Sequence, residues 1–366
     1  MKPAESAAPD MPPYYCPSFD KKCGGCQWLN MDYNSQLKNK QKIQSEALAQ
    51  SGMKISGHEQ FEGMAKPCGC RNKMSLLNSD GRLVFTRENS NKPVDIEDCL
   101  MELDANRKVF KKIKKYSWPP DILQVHIRST GDGKTGVCFF VKRMSGSVIG
   151  LARRIMKDCS PSVTGVGASS YRSYSLLTGS GYLKIVMGGI TYSVAHNGFF
   201  QTNYLQAEFL RKEVLELMGE SGGDKVLDLY CGSGFFSLPI SRRAGFVLGI
   251  DYAAQAVKSA VMNASINRIE NCDFIPGDVE AALKHIRPGE FATVILDPPR
   301  EGCGIGVINE LLRIGPGKMI YISCSVQSLS AELRQLKNKY RAVYCRLIDM
   351  FPQTLHMETV IKLVKE

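Results

Sequence analysis

No stretch of this 366-residue sequence stays apolar for the ~20 residues that cross a bilayer. The N-terminal run MKPAESAAPDMPPYY carries prolines at 3, 9, 12 and 13 and has no apolar core. A membrane span and a secretory signal are both excluded as readings, so a flexible lead-in to a cytoplasmic protein is expected. No repeat at a solenoid period is apparent. An acidic surplus is missing too: 47 Lys and Arg face 36 Asp and Glu, and the net charge of +11 favours a polyanionic partner, most commonly nucleic acid. Disulfides are not expected in such a compartment, so the 13 cysteines are packing residues, metal ligands or catalysts. With 43% hydrophobic and 23% charged residues the chain is an ordinary globular protein, long enough for more than one domain.

Three parts are expected. Residues 1–59 hold the lead-in, a cysteine-rich loop at 16–26 and a polar helix from about Asp32 to Ser51. Residues 60–195 read as a β-rich α+β domain: short strand-like runs separated by turn signals such as DGK at 132–134 and GG at 188–189, with one basic helix, Asn106–Tyr116. From 196 to 366 apolar strands alternate with helical patterns, which indicates an α/β domain with a doubly wound, Rossmann-like parallel sheet covered on both faces.

The strand ends carry the chemistry. Val226–Gly234 (VLDLYCGSG) is a buried strand running into a glycine turn, where Gly232 and Gly234 allow close backbone approach to a ligand. The next strand ends in Asp251, placed to accept both hydroxyls of a ribose, and a third ends in Asp278. A dinucleotide fold wants GxGxxG, but the third glycine position is Ser237; the DLYCG preamble instead suits S-adenosylmethionine. A ligand-free glycine turn is the bland alternative, and the two carboxylates weigh against it. The fourth strand ends in Asp297-Pro-Pro-Arg300, the fifth in Ser323-Cys324-Ser325, and the C-terminal region adds Glu358. A buried packing thiol is the competing reading of Cys324, but its strand-end position between serines aims it at the cleft. Cys231, Cys272, Cys303 and Cys345 have no such context and are read as structural.

Taken in order, DLYCGSG, DPPREG, SCS and DMFPQTLHMETV, with FFQTN at 199–203 and RNK at 71–73, resemble the RNA uracil-5-methyltransferase family over nearly the whole chain. The resemblance implies methyl transfer from S-adenosylmethionine to carbon 5 of a uridine, with Cys324 as covalent nucleophile and Glu358 as base. It implies that Gln201, Tyr230, Asp251 and Asp297 contact the methyl donor or hold the cleft. His356 is expected to orient its neighbours. Many members follow the nucleophile with Asn-Pro and a downstream Arg-Asp pair; here Ser325-Val326 follows, which touches the RNA target more than the reaction.

Cys16, Cys23 and Cys26 place three thiols in one loop, and the resemblance supplies Cys99 as a fourth ligand. Four thiolates suit a [4Fe-4S] cluster or zinc equally by chemistry; the resemblance implies a structural iron–sulfur cluster. Cys68 and Cys70 stand apart, near the RNK motif. Arg71, Asn72, Lys73, Arg300 and the basic helix (Arg107, Lys108, Lys111, Lys112, Lys114, Lys115) are the expected RNA contacts, although a solvated helix face competes for the lysines. A uridine methylated at its edge must leave its stack, so a flipped base is expected. The family's additional N-terminal β-barrel is expected to be missing, which resembles the short branch acting on 23S rRNA; the T-loop uridine of tRNA is the runner-up. A cytosine acceptor and a non-catalytic RNA chaperone are weaker alternatives. A monomer is expected.

Overall fold

The computed structural model describes residues 14–56, 59–170, 173–219 and 221–366; most of the expected lead-in, residues 1–13, lies outside them. Among the described residues no helix is long and apolar enough to cross a membrane.

The chain opens with α1 (Pro17–Asp20), α2 (Tyr33–Ser51) and β1 (Glu59–Glu62). Asp32 caps α2 by accepting from the Ser35 amide at 2.8 Å, and Gly52 ends it in the left-handed region at φ 68°. Its buried face is largely polar: Gln36, Lys40 and Gln44 alternate with Tyr33, Leu37 and Leu48. That face is satisfied by residues more than three hundred positions away. Lys40 Nζ lies 2.6 Å from Asp349 Oδ1 and donates to the Phe351 carbonyl at 3.0 Å; Gln44 donates to Thr359 Oγ1 at 2.9 Å.

The central domain contains β2 (Lys73–Ser79), β3 (Arg82–Thr86), β4 (Pro93–Val94), α3 (Asp104–Ile113), β5 (Ile122–Ser129), β6 (Thr135–Val141), α4 (Gly146–Cys159), β7 (Val163–Ser169) and β8 (Tyr174–Gly179). Its seven strands run in the order β4-β3-β2-β5-β6-β7-β8. Alternation sends Met74, Leu76, Val125, Ile127, Val137 and Phe139 to one face, where Val109, Phe110 and Ile113 of α3 and Val148 and Ile155 of α4 complete a core. DGK closes the β5–β6 hairpin as expected.

A separate hairpin follows, β9 (Tyr182–Met187) and β10 (Ile190–Ala195), turning at Gly188-Gly189. Then come α5 (Tyr204–Met218), β11 (Ser221–Leu229), α6 (Ser237–Ser241), β12 (Ala244–Asp251), α7 (Ala254–Ile266), β13 (Cys272–Pro276), α8 (Val279–Leu283), β14 (Thr293–Leu296), α9 (Ile305–Ile314), β15 (Lys318–Ser323), α10 (Val326–Leu336), β16 (Tyr340–Ile348) and β17 (Glu358–Lys365). The sheet order is β1-β16-β17-β15-β14-β11-β12-β13. Strands β11 to β15 are parallel, as the sequence pattern requires, and β17 is antiparallel to both neighbours.

Two expected boundaries shift. β1, which was not foreseen and straddles the boundary expected between residues 59 and 60, pairs in parallel with β16 and is an edge strand of the C-terminal sheet. The β9–β10 hairpin, assigned to the central domain, packs Ile185, Ile190, Tyr192 and Val194 into the core shared by α5, β11 and β12. Both reassignments have one cause: short strands show period and apolarity, not which sheet receives them.

Removing Lys40 alone leaves Asp349 buried and unpaired, because neither side chain has exposed surface. Lys40→Met should therefore lower the unfolding free energy by about 3–5 kcal/mol in urea titration. Adding Asp349→Asn should restore at least half of that loss, since the neutral amide still accepts from Tyr33; a double variant as weak as the single one disproves the ion-pair account.

Candidate active site

The catalytic end follows from one register. In the β15–β17 ladder Ser323 pairs with Thr359, so the next position outward opposes Cys324 to Glu358. β14 lies on the other side of β15 and delivers Asp297 and Arg300 to the same rim. Glu358 is buried, and burial with the Asp297 carboxylate beside it drives its carboxyl well above the usual range, Arg300 opposing. Burial and Asp228 raise Asp297 to about 7. Burial and the neighbouring Glu358 push the Cys324 thiol up to about 11, while Arg300 favours the thiolate. Ser325 caps α10, accepting from the Ser328 amide, so Cys324 sits at the positive end of that helix. The Ser325-Val326 departure thus has a local meaning: the serine that replaces asparagine is a helix cap. His356 is held neutral, pulled down to about 4 by burial and Arg300, and meets Phe351 edge-on at 6.3 Å. That agrees with an orienting part for it.

At the glycine turn Tyr230 (φ 64°), Gly232 (φ 55°) and Gly234 (φ 84°) all occupy the left-handed region. Only glycine does so freely, and Tyr230 is held there by its amide's bond to the Ile250 carbonyl at 2.8 Å. The Asp251 carboxylate accepts from the Gly232 amide at 2.9 Å and the Ala253 amide at 2.8 Å. Each oxygen is thus already bound to backbone, and its second lone pair is what remains for a ribose hydroxyl. Asp278 caps α8 through the Ala281 amide at 2.9 Å. Gln201 is half-buried before α5, its carbonyl accepting from Asn72 Nδ2 at 2.7 Å.

Cys16, Cys23, Cys26 and Cys99 line one cavity of about 260 Å³, together with Arg71. Arg71 donates to the Gly25 carbonyl at 2.9 Å from among these thiols. Its expected phosphate contact is replaced by a place behind the cysteine loop. Asn72 has no exposed surface and ties Gln201 in place, so it too leaves the RNA surface. Lys73, pulled down to about 8 by burial and Arg128, is half-buried. On α3, Arg107 and Lys111 pair with Asp98, Lys114 with Asp95 and Glu97, and Lys112 bonds the Asp158 carbonyl. The basic helix therefore pairs four of its cations with the protein itself, while Lys111 and Lys112 stay exposed along with Lys108 and Lys115. Arg300 is exposed at the cleft.

Comparison with known proteins now adds to this geometry. A family model described as tRNA (Uracil-5-)-methyltransferase matches residues 180–366. An uncharacterised RNA methyltransferase of Aquifex aeolicus is 32% identical over 375 residues, spanning 98% of this chain and 84% of its own. This chain belongs to the RNA uracil-5-methyltransferase family. It is an S-adenosylmethionine-dependent RNA methyltransferase. The match begins at residue 180, two residues before the hairpin that packs with the C-terminal core. A similar protein from Halalkalibacterium halodurans, also named an uncharacterised RNA methyltransferase, is 28% identical over 97% of this chain and 84% of its own. The crystal structure of Pyrococcus abyssi tRNA (uracil-54, C5)-methyltransferase in complex with S-adenosyl-L-homocysteine has a TM-score of 0.76 and 26% identity, covering 94% of this chain and 86% of that one.

Two buried carboxylates of this methyltransferase site escaped the sequence reading. Glu332 accepts from the Tyr321 hydroxyl and from the Gly304 amide (3.0 Å), bracing the Arg300–Gly304 loop from α10. Asp228 on β11, two residues ahead of Tyr230, is fully buried, accepts from Ser237 Oγ, and is pushed up to about 7 by burial. It was legible only as the odd charged residue inside an apolar strand. A carboxyl raised on folding holds its proton more tightly in the folded state, so its stabilising effect is present at low pH and is lost between about pH 4 and 7. Asp228→Asn should remove up to an amount on the order of 4 kcal/mol from the decline in stability over that interval. Urea midpoints that fall as steeply in the variant as in the wild type would defeat this assignment.

Proposed function

We propose that the protein methylates carbon 5 of a uridine through a covalent cysteine–uracil intermediate. The observation that carries this reading is the ladder register that sets Cys324 against Glu358 beside Asp297 and Arg300. The Cys324 thiolate adds to carbon 6, and the displaced electron pair makes carbon 5 enolate-like. Carbon 5 then takes the methyl group from the sulfonium, releasing S-adenosylhomocysteine. Glu358 removes the remaining carbon 5 proton, and the thiolate leaves as the double bond re-forms. Arg300 favours the thiolate against the burial that opposes it. Gly232, Gly234, Tyr230, Asp251, Asp278 and Gln201 border the methyl donor, with Asp251 on the ribose through its remaining lone pairs.

For the RNA we take 23S ribosomal RNA, on the placement of the cysteine loop ahead of the uracil-methyltransferase motifs. A second reading, the T-loop uridine of tRNA, is supported by the likeness to the Pyrococcus tRNA enzyme. Cys324→Ala should abolish transfer of labelled methyl to both transcripts. Glu358→Gln should accumulate a protein–RNA adduct on denaturing gels, because methylation precedes proton removal; transfer that survives the alanine change refutes covalent catalysis.

The cysteine cavity fits a cluster better than a single ion. No group of three or more His, Cys, Asp or Glu side chains that could hold a metal ion occurs among the described residues. A cavity of about 260 Å³ lined by four thiols is nonetheless many times the ~10–15 Å³ that seats one water, which suits a polyatomic [4Fe-4S] group whose ligands stand apart. Cys16, Cys23, Cys26 and Cys99 would hold it, with Arg71 offsetting their charge, and it would tie the loop to the central sheet. Iron and sulfide analysis should find about four of each per chain, and Cys99→Ser should lose both and lower the thermal midpoint. Zinc without iron overturns the assignment.

A further inference from the structure

Beside the catalytic rim lies a second polar groove, of about 360 Å³, that the methyl-transfer chemistry does not use. One wall is catalytic: Arg300 from the loop after β14, with Leu355 and His356 from the segment leading to Glu358. The facing wall comes from two other parts of the chain, the turn at Thr86–Ser90 between β3 and β4 and the cysteine loop at Gly24 and Gln27. These two parts are locked together. The Gly24 amide donates to the Thr86 carbonyl at 2.9 Å, Cys23 bridges to Arg87, and a Cβ at Gly24 would lie 2.7 Å from the Glu88 amide nitrogen. The cysteine loop is joined in turn to the catalytic segment, the Trp28 amide donating to the Gln353 carbonyl at 3.1 Å. The groove is therefore a fixed feature, built where three units meet next to Cys324.

Its chemistry suits one nucleotide. Gln27 donates through Nε2 to the Gly24 carbonyl at 3.1 Å, which fixes its amide, while its Oε1 is buried and has no hydrogen-bond partner among the described residues. Asn89 stands exposed at the tip of the turn with φ 51°, presenting a second amide. Leu355 is 43% exposed and His356 is uncharged, which gives a base an apolar surface and a neutral ring to lie against. Arg87 and Arg300, both exposed, provide positive charge at either wall for the flanking phosphates. Arg300 also faces Cys324 and Glu358, so the groove and the reaction centre share one side chain.

We propose that this groove seats the nucleotide adjoining the target uridine and makes Gln27 and Asn89 specificity-determining residues for the methyl transfer. The proposal rests on the uracil-methyltransferase reading above. A uridine drawn into the cleft pulls its neighbour out of the stack, and a neighbour held at Gln27 Oε1 must offer an amino or imino hydrogen there. Recognition of that kind separates bases by about 5- to 100-fold in kcat/KM.

The test uses the full-length protein and short RNAs that differ only at the base on either side of one uridine. Wild type should prefer one flanking base. Gln27→Met, which keeps the volume, and Asn89→Gly, which keeps the turn conformation, should each cut kcat/KM for the preferred RNA by about 5- to 100-fold and flatten the preference, with S-adenosylmethionine affinity unchanged. A merely structural role would lower activity on all of these RNAs alike. Unaltered preference in both variants, a uniform loss, or a wild type indifferent to the flanking base overturns the proposal alone. A wild type that methylates no uridine in any of these RNAs, nor in the 23S or tRNA transcripts, overturns the underlying reading and this proposal with it.

Discussion

The antiparallel entry of β17 between β15 and β16 is the constraint on which the site depends. Parallel strands bring their C-terminal ends to one rim, which gathers loops but offers no strand that starts there. Reversing β17 supplies one: it begins at Glu358, at the rim where β15 ends, so the proposed nucleophile and base become neighbours across a single ladder step. Their distance is then set by backbone hydrogen bonds instead of flexible loops. The arrangement has an electrostatic cost. Asp297 lies within reach of the fields of the buried Asp228 and Glu358, and Arg300 is a cation that opposes the rise at Glu358. Such a cluster keeps its carboxyls protonated to higher pH than water would.

A strand that starts at the rim must be reached by a loop, and residues 349–357 form it. That loop is immobilised by the opposite end of the chain. Tyr33 and Lys40 of α2 hold the Asp349 carboxylate at 2.6 Å each, Gln36 bonds Gln353 at 2.8 Å, and Gln353 in turn donates to the Pro67 carbonyl at 3.2 Å. Apolar packing could have buried the same area, but it is non-directional and would permit the loop to slide. Buried hydrogen bonds with no spare partners specify one position. The polar helix therefore serves the catalytic geometry without touching the reacting atoms.

This also explains what could and could not be read beforehand. Strand ends were legible because glycine turns, paired prolines and an acidic residue closing an apolar run are local signals, and Asp251, Asp297 and Cys324 sit at strand ends as expected, whereas Glu358, named through the resemblance, begins a strand. The face of α2 was not, since Gln36, Lys40 and Gln44 look like a solvated surface until their distant partners are known. Arg71 and Asn72 misled for the same reason in reverse: charge and polarity were taken for exposure, whereas one stands among thiols and the other holds a backbone carbonyl. Residue type reports the need for a polar partner. Only the fold says whether that partner is water, RNA or the protein itself.

The fate of α3 shows how far this reaches into function. Its run NRKVFKKIKKY is the densest basic segment of a chain with net charge +11, yet Asp95, Glu97, Asp98 and the carbonyl of Asp158 meet four of its cations. Such contacts tie the charges of the helix to its own domain, although Lys108, Lys111, Lys112 and Lys115 still face solvent. Beside the cleft, Arg300 and, across the adjoining groove, Arg87 are cations that face solvent. Two arginines set on opposite walls would hold a phosphate chain at defined points, where a lysine-rich helix would hold it anywhere along its length. Positioning, more than overall attraction, is what a reaction at one carbon of one base requires.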